Sequence, residues 1–73
     1  MAKTFVTLID NDSQHPQDNE LRELFDRLNP NHYDTRTSPG HPREPMALEI
    51  GDYEVRGYTH VRSMLRQLNQ TRP

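Results

Sequence analysis

Apolar residues recur at helical spacing in the first half of the chain. The stripe consists of Leu21, Leu24, Phe25 and Leu28, at positions i, i+3, i+4 and i+7. This spacing predicts an amphipathic helix over residues 18–29. Asp18 or Asn19 is expected to cap its start, and Pro30 follows its expected end.

The same spacing returns near the end of the sequence. The second stripe consists of Val61, Met64, Leu65 and Leu68. It predicts a second amphipathic helix, which Thr59 is expected to cap. Residues 69–73 are expected to form a flexible tail.

Strand patterns precede both helices. Residues 4–9 are rich in β-branched and aromatic types, which predicts a first strand. Residues 46–50 alternate between apolar and polar, and residues 53–57 alternate again after Gly51-Asp52, a two-residue turn signal of type I′ or II′. Tyr53 and Val55 are expected on the core side of this hairpin. Residues 31–37 allow one further short strand.

The order of these elements predicts an α+β fold, with a small sheet of three or four strands and two helices in the order β-α-(β)-loop-β-β-α. Residues 37–45 contain three prolines and a glycine, so they are expected to form a proline-rich loop. The 73 residues are expected to be one small domain. The predicted core is Leu24, Phe25, Leu48, Ile50, Val55, Val61, Leu65 and Leu68.

Charge divides the chain into two unlike halves. Residues 1–34 hold three basic and seven acidic residues, whereas residues 35–73 hold six arginines and four acids. From Thr59 onward there are three arginines and no acid. Arg56, Arg62 and Arg66 are therefore candidate contacts for an acidic partner surface, because arginine forms bidentate bonds with carboxylates. Ordinary solvated faces would give the same pattern.

The sequence offers little for catalysis or metal binding. It contains no cysteine, which excludes thiolate chemistry, disulfides and cysteine metal sites. Asp10-Asn11-Asp12 is similar to the opening of a calcium loop, but His15 and Leu21 stand where glycine and glutamate are needed. The four histidines lack a metal-ligand spacing. We therefore expect no enzymatic activity, no metal and no cofactor.

Residues 45–68, a hairpin followed at once by a helix, are similar to the C-terminal half of glutaredoxin- and thioredoxin-like domains. Pro45 stands where such proteins keep a cis-proline before the hairpin. The helix between the second strand and the hairpin is replaced here by the proline-rich loop, and the cysteines are missing. The resemblance implies a related topology and, as one candidate function, a cysteine-less binding module.

The opening Met1-Ala2-Lys3-Thr4-Phe5-Val6-Thr7-Leu8-Ile9-Asp10-Asn11-Asp12, together with the length of the chain and its lack of a catalytic motif, resembles another class. This class comprises small transcription regulators of lytic phages, such as those that infect Xanthomonas, which bind host RNA polymerase and block initiation. The resemblance implies host RNA polymerase as partner and the cytoplasm of the infected bacterium as location.

Charge and hydropathy argue against nucleic acid and membrane as binding partners. A net charge of −2 argues against direct nucleic-acid binding, although a DNA-binding repressor is a weaker third candidate. No apolar run approaches membrane length, so no membrane association is expected. The chain is expected to be a monomer.

Overall fold

Four strands and two helices follow one another along residues 3–70, the part of the chain that the computed structural model describes. They are β1 (Thr4–Asp10), α1 (Pro16–Asp26), β2 (Tyr33–Pro39), β3 (Ala47–Ile50), β4 (Tyr53–Arg56) and α2 (Tyr58–Asn69). The predicted α+β class and the two helices are confirmed, and the sheet has four strands.

The sheet is mixed, and its strand order is β2-β1-β3-β4. β1 pairs with β2 in parallel from Thr4–Tyr33 to Asp10–Pro39, so α1 is the crossover between two parallel neighbours. β3 pairs antiparallel with β1 and with β4. β1 and β3 are therefore interior strands, whereas β2 and β4 are the two edges.

A single apolar cluster joins the two helices to one face of the sheet. Its buried members are Val6, Leu8, Leu21, Phe25, Leu28, Tyr33, Met46, Leu48, Val61 and Leu65. Because all of the strand residues in the cluster that lie on β1 and β3 have the same parity, both helices cover the same face. The opposite face carries no helix within residues 3–70, and we call it the open face.

The predicted core is confirmed in part. Phe25, Leu48, Val61 and Leu65 are buried. Leu24, Ile50, Val55 and Leu68 are only partly buried and pack against the cluster. The prediction omits Val6 and Leu8, which the interior position of β1 buries almost completely.

Both predicted helix starts are wrong by a short distance. α1 begins at Pro16 after His15, neither Asp18 nor Asn19 caps it, and it ends at Asp26 rather than Asn29. Proline is favoured in the first helical turn, where its missing N–H has no partner to lose.

α2 begins at Tyr58 after Gly57, so Thr59 lies inside its first turn. Gly57 has a φ of 95°, a conformation that glycine tolerates and other residues rarely adopt. Its N–H donates to the carbonyl of Met46, and its own carbonyl accepts from the N–H of Val61. The turn from β4 into α2 is therefore fixed by the backbone alone.

The proline-rich loop is shorter than predicted, because β2 continues through Pro39. Proline is tolerated at the outer edge of a sheet, where its missing N–H faces no neighbouring strand. The predicted tail also begins too early, since Asn69 is the last residue of α2 and donates from Nδ2 to the carbonyl of Leu24 at 3.0 Å. Residues 71–73 lie outside the described part of the chain.

The hairpin is confirmed, with Ile50 opposite Tyr53 across a two-residue turn. Gly51 has a positive φ and Asp52 does not, which fits type II′ rather than type I′. Tyr53 lies on the helix-covered side of the sheet, as predicted, but its side chain is 59% exposed. It is the first residue of the four-residue edge strand β4.

Leu65 is the residue whose truncation tests this packing. It is completely buried between the sheet and the two helices, so Leu65→Ala is expected to lower the free energy of unfolding by about 2–5 kcal/mol. This is a large part of the stability of so small a domain. Chemical denaturation measures the change. Ser63→Ala, an exposed change on the same helix, is the control, and equal stability of the two variants would contradict the helix register.

Candidate protein interface

Glu20 joins the N-terminal halves of the two helices. One carboxylate oxygen accepts a hydrogen bond from the hydroxyl of Tyr58 at 2.7 Å, and the other accepts from Nε of Arg62 at 2.8 Å. α1 supplies the acid and α2 supplies both donors, so these hydrogen bonds hold the two helices together near their N-terminal ends. Arg62, one of the three predicted interface arginines, is therefore already paired within the fold.

This network shifts the pKa of each member. The hydrogen bond from Tyr58, followed by that from Arg62, holds the pKa of Glu20 below its ordinary value. The bond to Glu20 raises the pKa values of Tyr58 and of Arg62. All three shifts favour the neutral phenol and the ionised carboxylate–guanidinium pair.

Arg66 lies one helical turn beyond Arg62, as predicted, and is exposed. It is near enough to Glu20 to contribute to the lowered pKa of that carboxyl, but it forms no ion pair within residues 3–70. Of the three predicted arginines, Arg66 is the one that pairs with no carboxylate within residues 3–70.

Arg56 lies apart from the two arginines of α2. It is opposite Ala47 in the β3–β4 ladder, one residue after Val55, so it projects from the open face of the sheet. There it pairs with Glu54 at 3.1 Å and with Glu44 at 3.4 Å. The three predicted arginines therefore do not form one continuous surface, because strand alternation places Arg56 on the side away from α2.

The open face carries an exposed aromatic residue that the interface prediction omits. Phe5 in β1 is 52% exposed, and the guanidinium of Arg36 in β2 lies 5.0 Å from its ring centroid. A cation in this position is attracted to the face of the ring. The signal is present in the sequence, since Phe5 alternates out of phase with Val6 and Leu8.

The end of β1 is fixed by two polar side chains. Arg22 of α1 donates from Nε and from one terminal nitrogen to the two carboxylate oxygens of Asp10, at 2.9 and 2.8 Å. Asn11 is buried, and its Nδ2 donates to the carbonyl of Glu44 at 2.8 Å while its own N–H points to the sulfur of Met46. These contacts attach α1 and the segment before β3 to the same strand end.

A groove of about 480 Å³ lies beside this strand end. It is lined by Asp10, Asp12, Thr37, Ser38, Pro39, Gly40 and Pro42. The carboxylate of Asp10 is paired with Arg22. It also accepts a hydrogen bond from the N–H of Asp12, as in an Asx turn. Within residues 3–70 no three His, Cys, Asp or Glu side chains are grouped to hold a metal ion.

Neither described helix combines the length and the apolar composition that crossing a bilayer requires. Searches against protein-family models, curated proteins and solved structures found no significant match to the chain.

The Asp10–Arg22 pair predicts a specific loss of stability in acid. The hydrogen bonds from Arg22 are the main cause of the lowered pKa of Asp10. A carboxyl with a lowered folded pKa adds stability above its unfolded pKa and loses it as pH falls through the folded pKa. Asp10→Asn should therefore be less stable than the parent at pH 7, and the difference should shrink as pH falls from about 5 to about 2.

Chemical denaturation at a series of pH values measures this difference. The control is Asp26→Asn, which removes an exposed carboxylate that forms no ion pair in the described part of the chain. It should follow the parent at every pH. A constant difference between Asp10→Asn and the parent across the acid range would show that the pair does not stabilise the fold through charge.

Proposed function

We propose that this chain is a non-enzymatic interaction protein, encoded by a phage, that binds the RNA polymerase of its bacterial host and inhibits transcription initiation in the host cytoplasm. The resemblance of residues 1–12, of the length and of the lack of a catalytic motif to small phage transcription regulators supports this choice of partner. The observation that carries the binding mode is the charge of α2, which bears Arg62 and Arg66 and no acidic residue.

Arg66 is the leading contact in this proposal. Its side chain is exposed and has no carboxylate bound to it within residues 3–70, so an acidic partner gains a new ion pair without breaking an existing one. Arginine is enriched at the energetic centres of protein interfaces, because its planar group binds carboxylates in a bidentate manner.

Arg62 has a different role in the same surface. Its side chain is 40% exposed, so it is accessible, but Glu20 already holds its Nε. A partner carboxylate can use the remaining guanidinium nitrogens while Glu20 keeps the arginine oriented. Preorganisation of this kind lowers the entropy that binding costs.

Arg56 contributes less directly in this proposal. Glu44 and Glu54 neutralise it, and it projects from the open face rather than from α2. A contact through Arg56 would need a partner that reaches around the edge strand β4.

Inhibition without catalysis is consistent with the chemistry of the described residues. The buried polar residue Asn11 is hydrogen-bonded to the backbone, and the paired carboxylates Asp10 and Glu20 are held by arginines. Catalytic acids and bases generally have pKa values shifted toward the working pH. Both of these carboxyls have lowered pKa values instead.

The test is a titration of RNA polymerase holoenzyme from Xanthomonas with the purified protein, read out as binding and as promoter-dependent transcript. Arg66→Glu is expected to raise the dissociation constant by at least about fivefold, the effect of losing an interface residue that contributes about 1 kcal/mol to binding. Binding of the parent should weaken as the salt concentration rises, mainly through a slower association rate.

Arg43→Glu is the control for net charge, since Arg43 is exposed in the loop before β3 and forms no ion pair within residues 3–70. Arg62→Glu should weaken binding and also lower the melting temperature, because it places two acids together at Glu20. If Arg66→Glu and Arg62→Glu both bind and inhibit like the parent, the interface is not on α2. If the parent does not bind polymerase, the proposed function fails.

The second candidate is a cysteine-less glutaredoxin-like binding module. The observation in its favour is that the hairpin β3–β4 leads directly into α2, as that resemblance implies. Residues 3–70 contain no cis peptide bond, so the expected cis bond before Pro45 is not present. Protection of the protein against thermal unfolding by glutathione, with no binding to polymerase, would favour this candidate.

A further inference from the structure

The outer edge of β2 presents unpaired backbone groups at known positions. The carbonyl of His32 accepts from the N–H of Thr4, and the N–H of Gly40 donates to the carbonyl of Asp10. Because successive residues in a strand direct these groups to opposite sides, even-numbered residues from 32 to 40 bond to β1. Thr35 and Thr37 therefore direct their N–H and C=O groups away from the sheet.

Nothing in residues 3–70 covers these groups. β2 has β1 as its single neighbour in the sheet. Both Thr35 and Thr37 are exposed. At the start of β2 the outward N–H of Tyr33 is used differently, since it donates to the carbonyl of Asn29. The available edge is thus short and centred on Thr35 and Thr37.

The charges on β2 are self-complementary. Asp34 and Arg36 flank Thr35 and share the open face, because β1 pairs Phe5 with Asp34 and Thr7 with Arg36. Neither residue forms an ion pair in the described part of the chain. The guanidinium of Arg36 lies over Phe5 of β1, a contact that leaves its charge unneutralised. To meet a second copy, the side chain must turn from β1 toward the outer edge of β2.

An antiparallel second copy can meet this edge in few registers, because only outward-facing residues can exchange hydrogen bonds. A register centred on Arg36 would place two arginines opposite each other, and one centred on Asp34 would do the same with two aspartates. A register centred on Thr37 would place Arg36 opposite Ser38. The register centred on Thr35 places Asp34 of each copy opposite Arg36 of the other.

Backbone and charge thus select the same register. With Thr35 opposite Thr35 of the second copy, the two residues exchange N–H···O=C bonds as a hydrogen-bonded pair. The flanking Asp34 and Arg36 then form non-hydrogen-bonded pairs, in which opposing side chains are closest. An arrangement of this kind is isologous, so both contacts occur twice.

We propose that β2 is a self-association edge, which pairs antiparallel with β2 of a second copy about a two-fold axis at Thr35 and joins the two sheets. This departs from the monomer expected from the sequence. It does not depend on the proposed function, because the β2 edge and the arginines of α2 are on different elements. The edge contributes few apolar side chains, so the dissociation constant of the dimer is expected to lie between about 1 µM and about 1 mM.

Sedimentation velocity over this concentration range is the first test. The parent should shift from monomer to dimer as its concentration rises. Arg36→Asp makes the edge acidic and Asp34→Arg makes it basic, so each variant alone should be monomeric over the whole range. An equal mixture of the two should form a heterodimer, because opposite charges then face each other.

The double change Asp34→Arg with Arg36→Asp is the decisive control. It reverses both charges and restores the complementary pairing between identical copies, so it should dimerise like the parent. A parent that remains monomeric at about 1 mM would overturn the proposal. A double variant that remains as monomeric as the single variants would also overturn it. Asp34 and Arg36 would then either prevent association at this edge or bind a different partner.

A backbone variant tests the strand pairing itself. Thr35→Pro removes an N–H that faces outward and bonds to no residue of β1, a position at which a sheet edge tolerates proline. Thr35→Ala keeps the N–H and is the matched control. If melting curves show that both variants fold, Thr35→Pro should be monomeric and Thr35→Ala should dimerise. Equal dimerisation of both would show that association does not use this edge.

Discussion

Strand β1 is hydrogen-bonded on both sides and joins the parallel pair with β2 to the antiparallel hairpin β3–β4. Its parallel partner β2 and its antiparallel partner β3 approach from opposite edges, which makes a mixed sheet from a short chain. Val6 and Leu8 project from β1 into the cluster beneath the helices. A domain of this size buries little apolar surface in total, so the burial contributed by one central strand is a large share of its stability.

Polar contacts at the end of β1 determine how the remaining segments close over the core. Asp10 holds α1 through Arg22, and Asn11 holds the segment before β3 through the carbonyl of Glu44. Gly40 completes the arrangement, because a Cβ there would lie 3.0 Å from the side chain of Ile9 and 3.2 Å from the carbonyl of Asp10. These side-chain and backbone contacts give a loop without regular structure a fixed path, in a chain that has no cysteine for a disulfide.

Periodicity in the sequence predicts the elements, the hairpin and the apolar stripes, because each depends on neighbours a few residues away. The extension of β2 to Pro39 depends instead on β2 being an edge, which only the assembled sheet defines. Likewise the pairing of Arg62 with Glu20 joins two helices far apart in sequence. The separation of Arg56 from α2 follows from the alternation of side chains along β4. Val55 faces α2, so the next residue, Arg56, must face the other side of the sheet, and the sequence alone allows this deduction once Val55 is assigned to the core side.

The pairing of β1 also constrains when the chain can fold. Thr4 pairs with Tyr33, and Val6 pairs with Ile50, so β1 completes its hydrogen bonds only after β3 has been made. Non-local pairing of this kind slows folding, because long loops must close before contacts stabilise them. Nascent β1 therefore cannot complete its pairing before residue 50 has been made, and it must remain unaggregated until β3 is available.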